Sequence, residues 1–220
     1  MLASMVRAAS SKSAVPKPAG ERPPRARLEL DERRAQLIAL GLSLFSERSY
    51  DDVSIDDLAH AAGISKGLLY HYFPTKRHLY VAALRFAAQQ LLDETLPDAA
   101  APPEERARRG IETYLDFVER HGTVYVALMR GGVGSDPEVA GILEETRRTI
   151  AARIVDDLPA ELPRPLVSTI LRGWIGFVEA TAIDWVANRP VPREQLVTLL
   201  SALMFDVIQR VASVTQTPPA

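Results

Sequence analysis

Residues Ser54 to Lys76, SIDDLAHAAGISKGLLYHYFPTK, constrain this chain more than any other stretch. Ser54 suits an N-cap, and Asp57 three residues on supplies the acidic half of a capping box. Ile55, Leu58, Ala59 and Ala62 then repeat at helical spacing. Gly63 ends that helix, since the residue after a C-cap favours a positive φ that glycine adopts without strain. Ile64 plugs the turn, Ser65 caps a second helix, and Leu69 and Phe73 lie four apart on its inner face. Pro74 closes the unit. Two short helices joined by a glycine turn with a small apolar plug form the pattern of a helix-turn-helix that reads DNA.

The outer face of the second helix separates a DNA reader from a structural hairpin. With Leu69 and Phe73 inward, Lys66, Gly67, Tyr70 and His71 point outward: a cation, a close-approach glycine and two polar-tipped aromatics. No acid occurs from Ser65 to Tyr80. The next helix starts at the N-cap Thr75 with Lys76, Arg77 and His78 in its first turn. Cations there oppose the helix dipole, and a bound phosphate reverses the sign.

The run GISKGLLYHYFPTK resembles the signature of the TetR family of transcriptional regulators, with a motif-level match from about Arg33 to Leu84. The resemblance implies an all-α homodimer with two parts: an N-terminal three-helix DNA-binding domain and a C-terminal helical ligand-binding and dimerisation bundle. It also implies release from an operator when a small molecule enters the second domain. By position, the family's DNA-contacting residues carry over to Ser54, Ser65, Lys66, Gly67, Tyr70, His71, Tyr72 and Lys76. Leu68 stands where a small polar residue is frequent, so its contact to a base would be apolar, as to a thymine methyl. Arg77 and His78 stand where an acid often follows the lysine, which favours phosphate binding.

At 220 residues and 47% hydrophobic, the chain can bury a substantial core. It has no cysteine, which excludes disulfides and thiolate metal sites and is compatible with a reducing cytoplasm. The longest apolar runs, such as 196–205, are interrupted by Thr198 and Ser201, so no membrane span is expected. Net charge is −2, but it divides into +4 over residues 1–30, −1 over 31–80 and −5 beyond. The acidic surplus thus lies away from the motif.

Residues 1–28 are rich in Ala, Ser, Pro, Lys and Arg and read as a disordered basic arm. Its plain role is non-specific attraction, and minor-groove insertion is the alternative. The DNA-binding domain is expected over 29–80, beginning with a helix from Asp31 to Glu47 that carries Leu37, Ile38, Leu40, Leu44 and Phe45 on one face. Arg33 and Arg34 in its opening turns are candidates for phosphate contact or for solvation. From Thr75 a helix reaching about Leu96 forms a rod on the order of 30 Å long at 1.5 Å per residue.

The ligand-binding and dimerisation domain is expected over 81–214, with a tail at 215–220. Its helices start near Glu104, Val124, Pro137, Pro165 and Pro192. The glycine-rich run 131–138 lacks the strand before it and the Lys-Ser/Thr after it that a phosphate loop needs. Thr169, Gly173, Gly176, Ala180 and Ile183 form a small-residue ridge on the penultimate helix. The last helix is apolar on more than one face, so the two are expected to form an isologous dimer interface.

Aromatics concentrate in this second half. Tyr114, Phe117, Tyr125, Met129, Trp174, Phe177, Thr181 and Asp184 are the candidate effector-binding residues, with Asp184 as a polar anchor. Ordinary core packing of the aromatics and a surface ion pair for Asp184 are the competing reading. No catalytic site, metal site or cofactor is expected: the four histidines show no metal-binding spacing, and Ser168 and Ser201 lack a nucleophile-elbow context. The chain reads as a cytoplasmic, ligand-responsive repressor with partners in a double-stranded operator, a second copy and a small apolar effector, and none in a membrane. A helical protein-interaction module is the alternative.

Overall fold

A computed structural model describes residues 24–122, 125–126 and 136–216. Eight helices make up its regular structure: α1 (Pro24–Glu47), α2 (Ile55–Ala61), α3 (Lys66–Tyr72), α4 (Lys76–Glu94), α5 (Pro103–Arg120), α6 (Pro137–Asp156), α7 (Arg164–Asn188) and α8 (Arg193–Gln216). Tyr125 and Val126 are also helical. No strand occurs among the described residues, as the sequence implies. Helix α1 begins at Pro24, seven residues ahead of the expected Asp31, inside the stretch read as an arm. Most of that arm, and Met129, lie outside the described residues.

The local signals act where they were read. The Ser54 hydroxyl accepts from the Asp57 amide at 3.0 Å, and the Asp57 carboxylate accepts from the Ser54 amide at 2.8 Å, closing the capping box. Ser65 and Thr75 cap α3 and α4 by accepting from the amides of Leu68 and His78, each at 3.2 Å. Gly63 has φ +63°, the left-handed region. Leu58, Leu69 and Phe73 are buried against Phe45, Val53 and Leu79, so α1, α2 and α3 share one core with the start of α4.

That core does not stop at α4. The same cluster continues through Leu84, Ala87 and Leu91 to Ile111, Leu115 and Val118 on α5, Val139 and Ile142 on α6, and Val178, Ala182 and Trp185 on α7. Helix α4 therefore belongs to both halves. A second cluster, with Val155, Val167, Leu171, Met204 and Val211, closes the far end of α6, α7 and α8.

Helix α7 and the segment Arg193–Val214 are each long and apolar enough to cross a membrane by length and composition, which corrects the sequence expectation. Their apolar residues divide between two directions. Leu171, Ile175, Val178 and Leu200 face the core, while Leu166, Ile170, Phe177 and Leu199 face outward. Within α7, Glu179 pairs with Arg147 of α6.

A Cβ added at Gly63 meets no atom within 4 Å, so the cost of a side chain there is purely conformational. Gly63→Ala is expected to lower stability by about 1–2 kcal/mol, the cost of the left-handed backbone for an L-residue, as read from urea unfolding.

Candidate nucleic-acid interface and interior cavity

Helix α3 leaves one long face in solvent. Ser65, Lys66, Gly67, Leu68, Tyr70 and His71 are exposed, and Ser54 stands exposed at the start of α2. Leu68 is 41% and Tyr70 46% accessible, although both are large and partly apolar. Tyr72 sits on the flank, half-buried, with its ring 5.7 Å from that of His71. Lys66 Nζ lies 2.5 Å from Asp56 Oδ1, but both side chains are more than half exposed. A contact of that kind contributes little and is readily exchanged for a phosphate or base.

Two residues expected to contact DNA are engaged elsewhere. Lys76 Nζ donates to the carbonyls of Tyr50 at 2.8 Å and Val53 at 2.9 Å, and lies 4.2 Å from the Tyr50 ring centre. With two of its three N–H groups directed inward, Lys76 ties the start of α4 to the α1–α2 connection and does not reach outward. Arg77 grips Asp136 through Nε at 2.6 Å and Nη2 at 2.7 Å, and Glu138 through Nη2 at 3.0 Å. Arg85 joins the same Glu138 at 3.1 Å. Asp136 is also the N-cap of α6, accepting from the Glu138 amide at 2.9 Å. The cluster clamps α4 onto the head of α6. Of the N-terminal arginines, Arg34 stacks over Phe73 at 5.1 Å and Arg33 bonds Gln36 at 3.1 Å.

Helices α4 to α8 enclose a cavity of about 230 Å³ with mainly apolar walls, among them Leu84, Leu91, Ile111, Ile142, Ile175 and Ile208. Tyr114, Phe117, Tyr125 and Trp174 line it as expected, and the Tyr114 and Tyr125 hydroxyls bond each other. Burial holds both phenols above their ordinary pKa, so they stay protonated. The indole Nε1 of Trp174 is sealed from solvent and has no acceptor among the described residues.

Phe177, Thr181 and Asp184 do not line the cavity. Phe177 is 48% exposed on the outer face of α7. The Thr181 hydroxyl donates to the Phe177 carbonyl at 2.8 Å, and the Asp184 carboxylate accepts from Asn188 at 2.7 Å. The inward stripe of α7 runs through Leu171, Ile175, Val178 and Ala182, with Trp174 at its edge. At 100° per residue, Phe177 and Asp184 have already turned away from it.

Sequence reasoning missed the polar fittings of the cavity. Arg147 Nε donates to both Glu179 oxygens at 2.9 and 3.0 Å. His121 Nδ1 lies 3.0 Å from Ser46 Oγ, joining the cavity wall to α1. Burial, and then the Arg120 charge, hold the imidazole below its ordinary pKa of 6.5 and therefore neutral at pH 7. Arg106 and Arg153 line the end of the cavity farthest from α1. Arg153 stands between Ile150 and Ile154 in sequence, and a cation bordering an inward stripe was the available signal.

Two family models match the chain: one for bacterial regulatory proteins of the tetR family over residues 37–83, and one for a tetracyclin repressor-like C-terminal domain over 103–207. A TetR-family transcriptional regulator from Streptomyces coelicolor superposes with a TM-score of 0.76 at 38% identity, over 84% of this chain and 83% of that one. The HTH-type transcriptional activator FasR of Mycolicibacterium smegmatis is 26% identical, over 82% of this chain and 85% of its own. The HTH-type transcriptional regulator EthR of Mycobacterium tuberculosis is 28% identical, over 90% and 82%.

The clamp between α4 and α6 has a pH signature. The hydrogen bonds from Arg77 hold the Asp136 carboxyl at about 2, below its ordinary 3.8. A depressed carboxyl stabilises the fold above its unfolded pKa, and that contribution is lost as pH falls from about 4 to about 2. Asp136→Asn keeps an N-cap and loses the charge. Its melting temperature is expected below that of the parent at pH 6, with the two curves converging toward pH 2.

Proposed function

Since the chain belongs to the TetR family of transcriptional regulators, we propose that it is a homodimeric repressor, released from a near-palindromic operator by a small effector in the interior cavity. As a member of that family it is a DNA-binding regulator and not an enzyme. The observation that carries the finer reading is the position of α4. It begins beside the exposed face of α3 and continues as a wall of the cavity.

On this reading α3 enters the major groove, and the two copies hold their α3 helices roughly 34–36 Å apart, one turn of DNA. Lys66, Leu68 and the Gly67 backbone meet base edges. Tyr70, His71, Tyr72 and the capping hydroxyl of Ser65 fix the phosphates, while the Ser54 hydroxyl donates to Asp57 at 2.8 Å and holds the start of α2. Lys76 acts by positioning α4. The effector binds a conformation with altered spacing of the two motifs, and it shifts the equilibrium by its differential affinity for that conformation. The protein works in the cytoplasm, where its DNA is.

The second copy docks on α7 and α8. The outward stripe of α7 carries Leu166, Ile170 and Phe177, and a Cβ at either Gly173 or Gly176 would meet nothing within 4 Å. Leu199 on α8 is 55% exposed. Exposed apolar residues with room for close helix approach support an isologous interface.

Selection from random duplexes followed by a salt series tests the reading: an inverted repeat is the expected product, and sequence-independent binding alone would overturn it. Because the FasR relative is described as an activator, the sign of regulation is tested by a reporter bearing the selected repeat across its promoter. Lys66→Ala is expected to cost tenfold to a hundredfold at the preferred site, or about 1–3 kcal/mol, and to relax preference at one base. Lys76→Ala is expected to lower affinity with nearly unchanged salt slope, since its charge faces carbonyls. Phe177→Glu is expected to give a monomer in sedimentation, with the helical content of the parent.

A further inference from the structure

The polar groups of the cavity are not spread evenly along it. Near α1, Arg147 and Glu179 neutralise each other, the two tyrosine hydroxyls are joined, and His121 is uncharged at neutral pH. That end carries no surplus charge. At the opposite end the lining reaches the surface at Pro97, Pro103 and Asp157, all exposed. Here two guanidinium groups, Arg106 of α5 and Arg153 of α6, share the wall with one carboxylate, Asp157.

The pairing at this end is incomplete. The Arg106 side chain is only 18% exposed, yet its Nη2 stands 3.8 Å from Asp157 Oδ2, at the outer limit of an ion pair. Arg153 Nη1 donates to the Leu92 carbonyl at 2.5 Å, and no carboxylate among the described residues pairs with it. The neighbouring wall is apolar, with Ala107, Ile154 and Leu158. A half-buried guanidinium with an apolar surround gains most from a planar oxyanion, which it meets with two parallel N–H bonds.

We propose that the effector is an amphipathic anion: an apolar body lying along the cavity, with a single carboxylate between Arg106 and Arg153. This rests on the reading of the cavity as the effector site, and it refines the apolar effector into one with a charged head. The void of about 230 Å³ exceeds the roughly 150 Å³ that admits benzene in an engineered apolar cavity. The paired end accepts only the uncharged part of such a molecule, because any charge there would meet groups already satisfied. The head therefore stays at the end nearest solvent.

Sodium octanoate and 1-octanol share a chain and differ in the head, so their titration against full-length protein, followed by tryptophan fluorescence, tests the assignment. Trp174 in the wall reports occupancy. Octanoate is expected to bind at least tenfold tighter than octanol. Arg153→Met keeps the apolar stem, leaves Arg106 in place and is expected to lose most of that preference while octanol binding persists. Equal or tighter binding of octanol to the parent protein overturns the anionic head and leaves the effector site standing, whatever the folding of the variant. An unchanged preference in Arg153→Met likewise overturns it. Binding of neither probe overturns both the head and the effector site.

Discussion

Cations in the first turn of a helix are in the wrong place, because the unpaired amides of that turn already carry positive charge. Helix α4 begins with Lys76, Arg77 and His78, and the rest of the molecule is arranged around the way this conflict is resolved. Lys76 turns back onto two carbonyls, Arg77 crosses to two carboxylates, and the Nδ1 of His78 lies 2.8 Å from the Thr75 hydroxyl. The first two fix α4 to something else, while the third stays within its own cap. The first holds it to the connection that precedes α2, and the second holds it to α6.

The consequence is that the N-terminal and C-terminal halves share structure and do not merely adjoin. One apolar cluster runs through both. Two polar links cross between them as well: the Arg77 clamp at the head of α6, and the contact of Ser46 with His121 in the cavity wall. Such contacts are discrete, made or broken.

How much of this was legible in the sequence depended on range. Ser54, Gly63, Ser65 and Thr75 were readable because a cap or turn is decided within four residues. The partners of Lys76 were not legible because they lie 26 and 23 residues upstream, nor was that of Arg77, because Asp136 is 59 residues away. No local pattern encodes those meetings, and the same residues on an isolated motif would be free cations. On α7 the difficulty was different. That helix is apolar on two faces, so periodicity gives no single inward direction, and Phe177 and Asp184 were assigned to the wrong one while Trp174 was assigned to the right one. The joint resemblance of motif and chain length carried the family, which no single residue could.

Helix α4 also has a length that matters mechanically. From Lys76 to Glu94 it has 19 residues, or about 28 Å at 1.5 Å each. A rigid bar of that length turns a small angle at one end into a large displacement at the other. Tilting it by about 7° about its far end carries the Lys76 end through roughly 3.4 Å, the rise of one base along a DNA strand. Leverage of this kind turns a slight change of angle at Glu94 into a displacement of one base rise at Lys76.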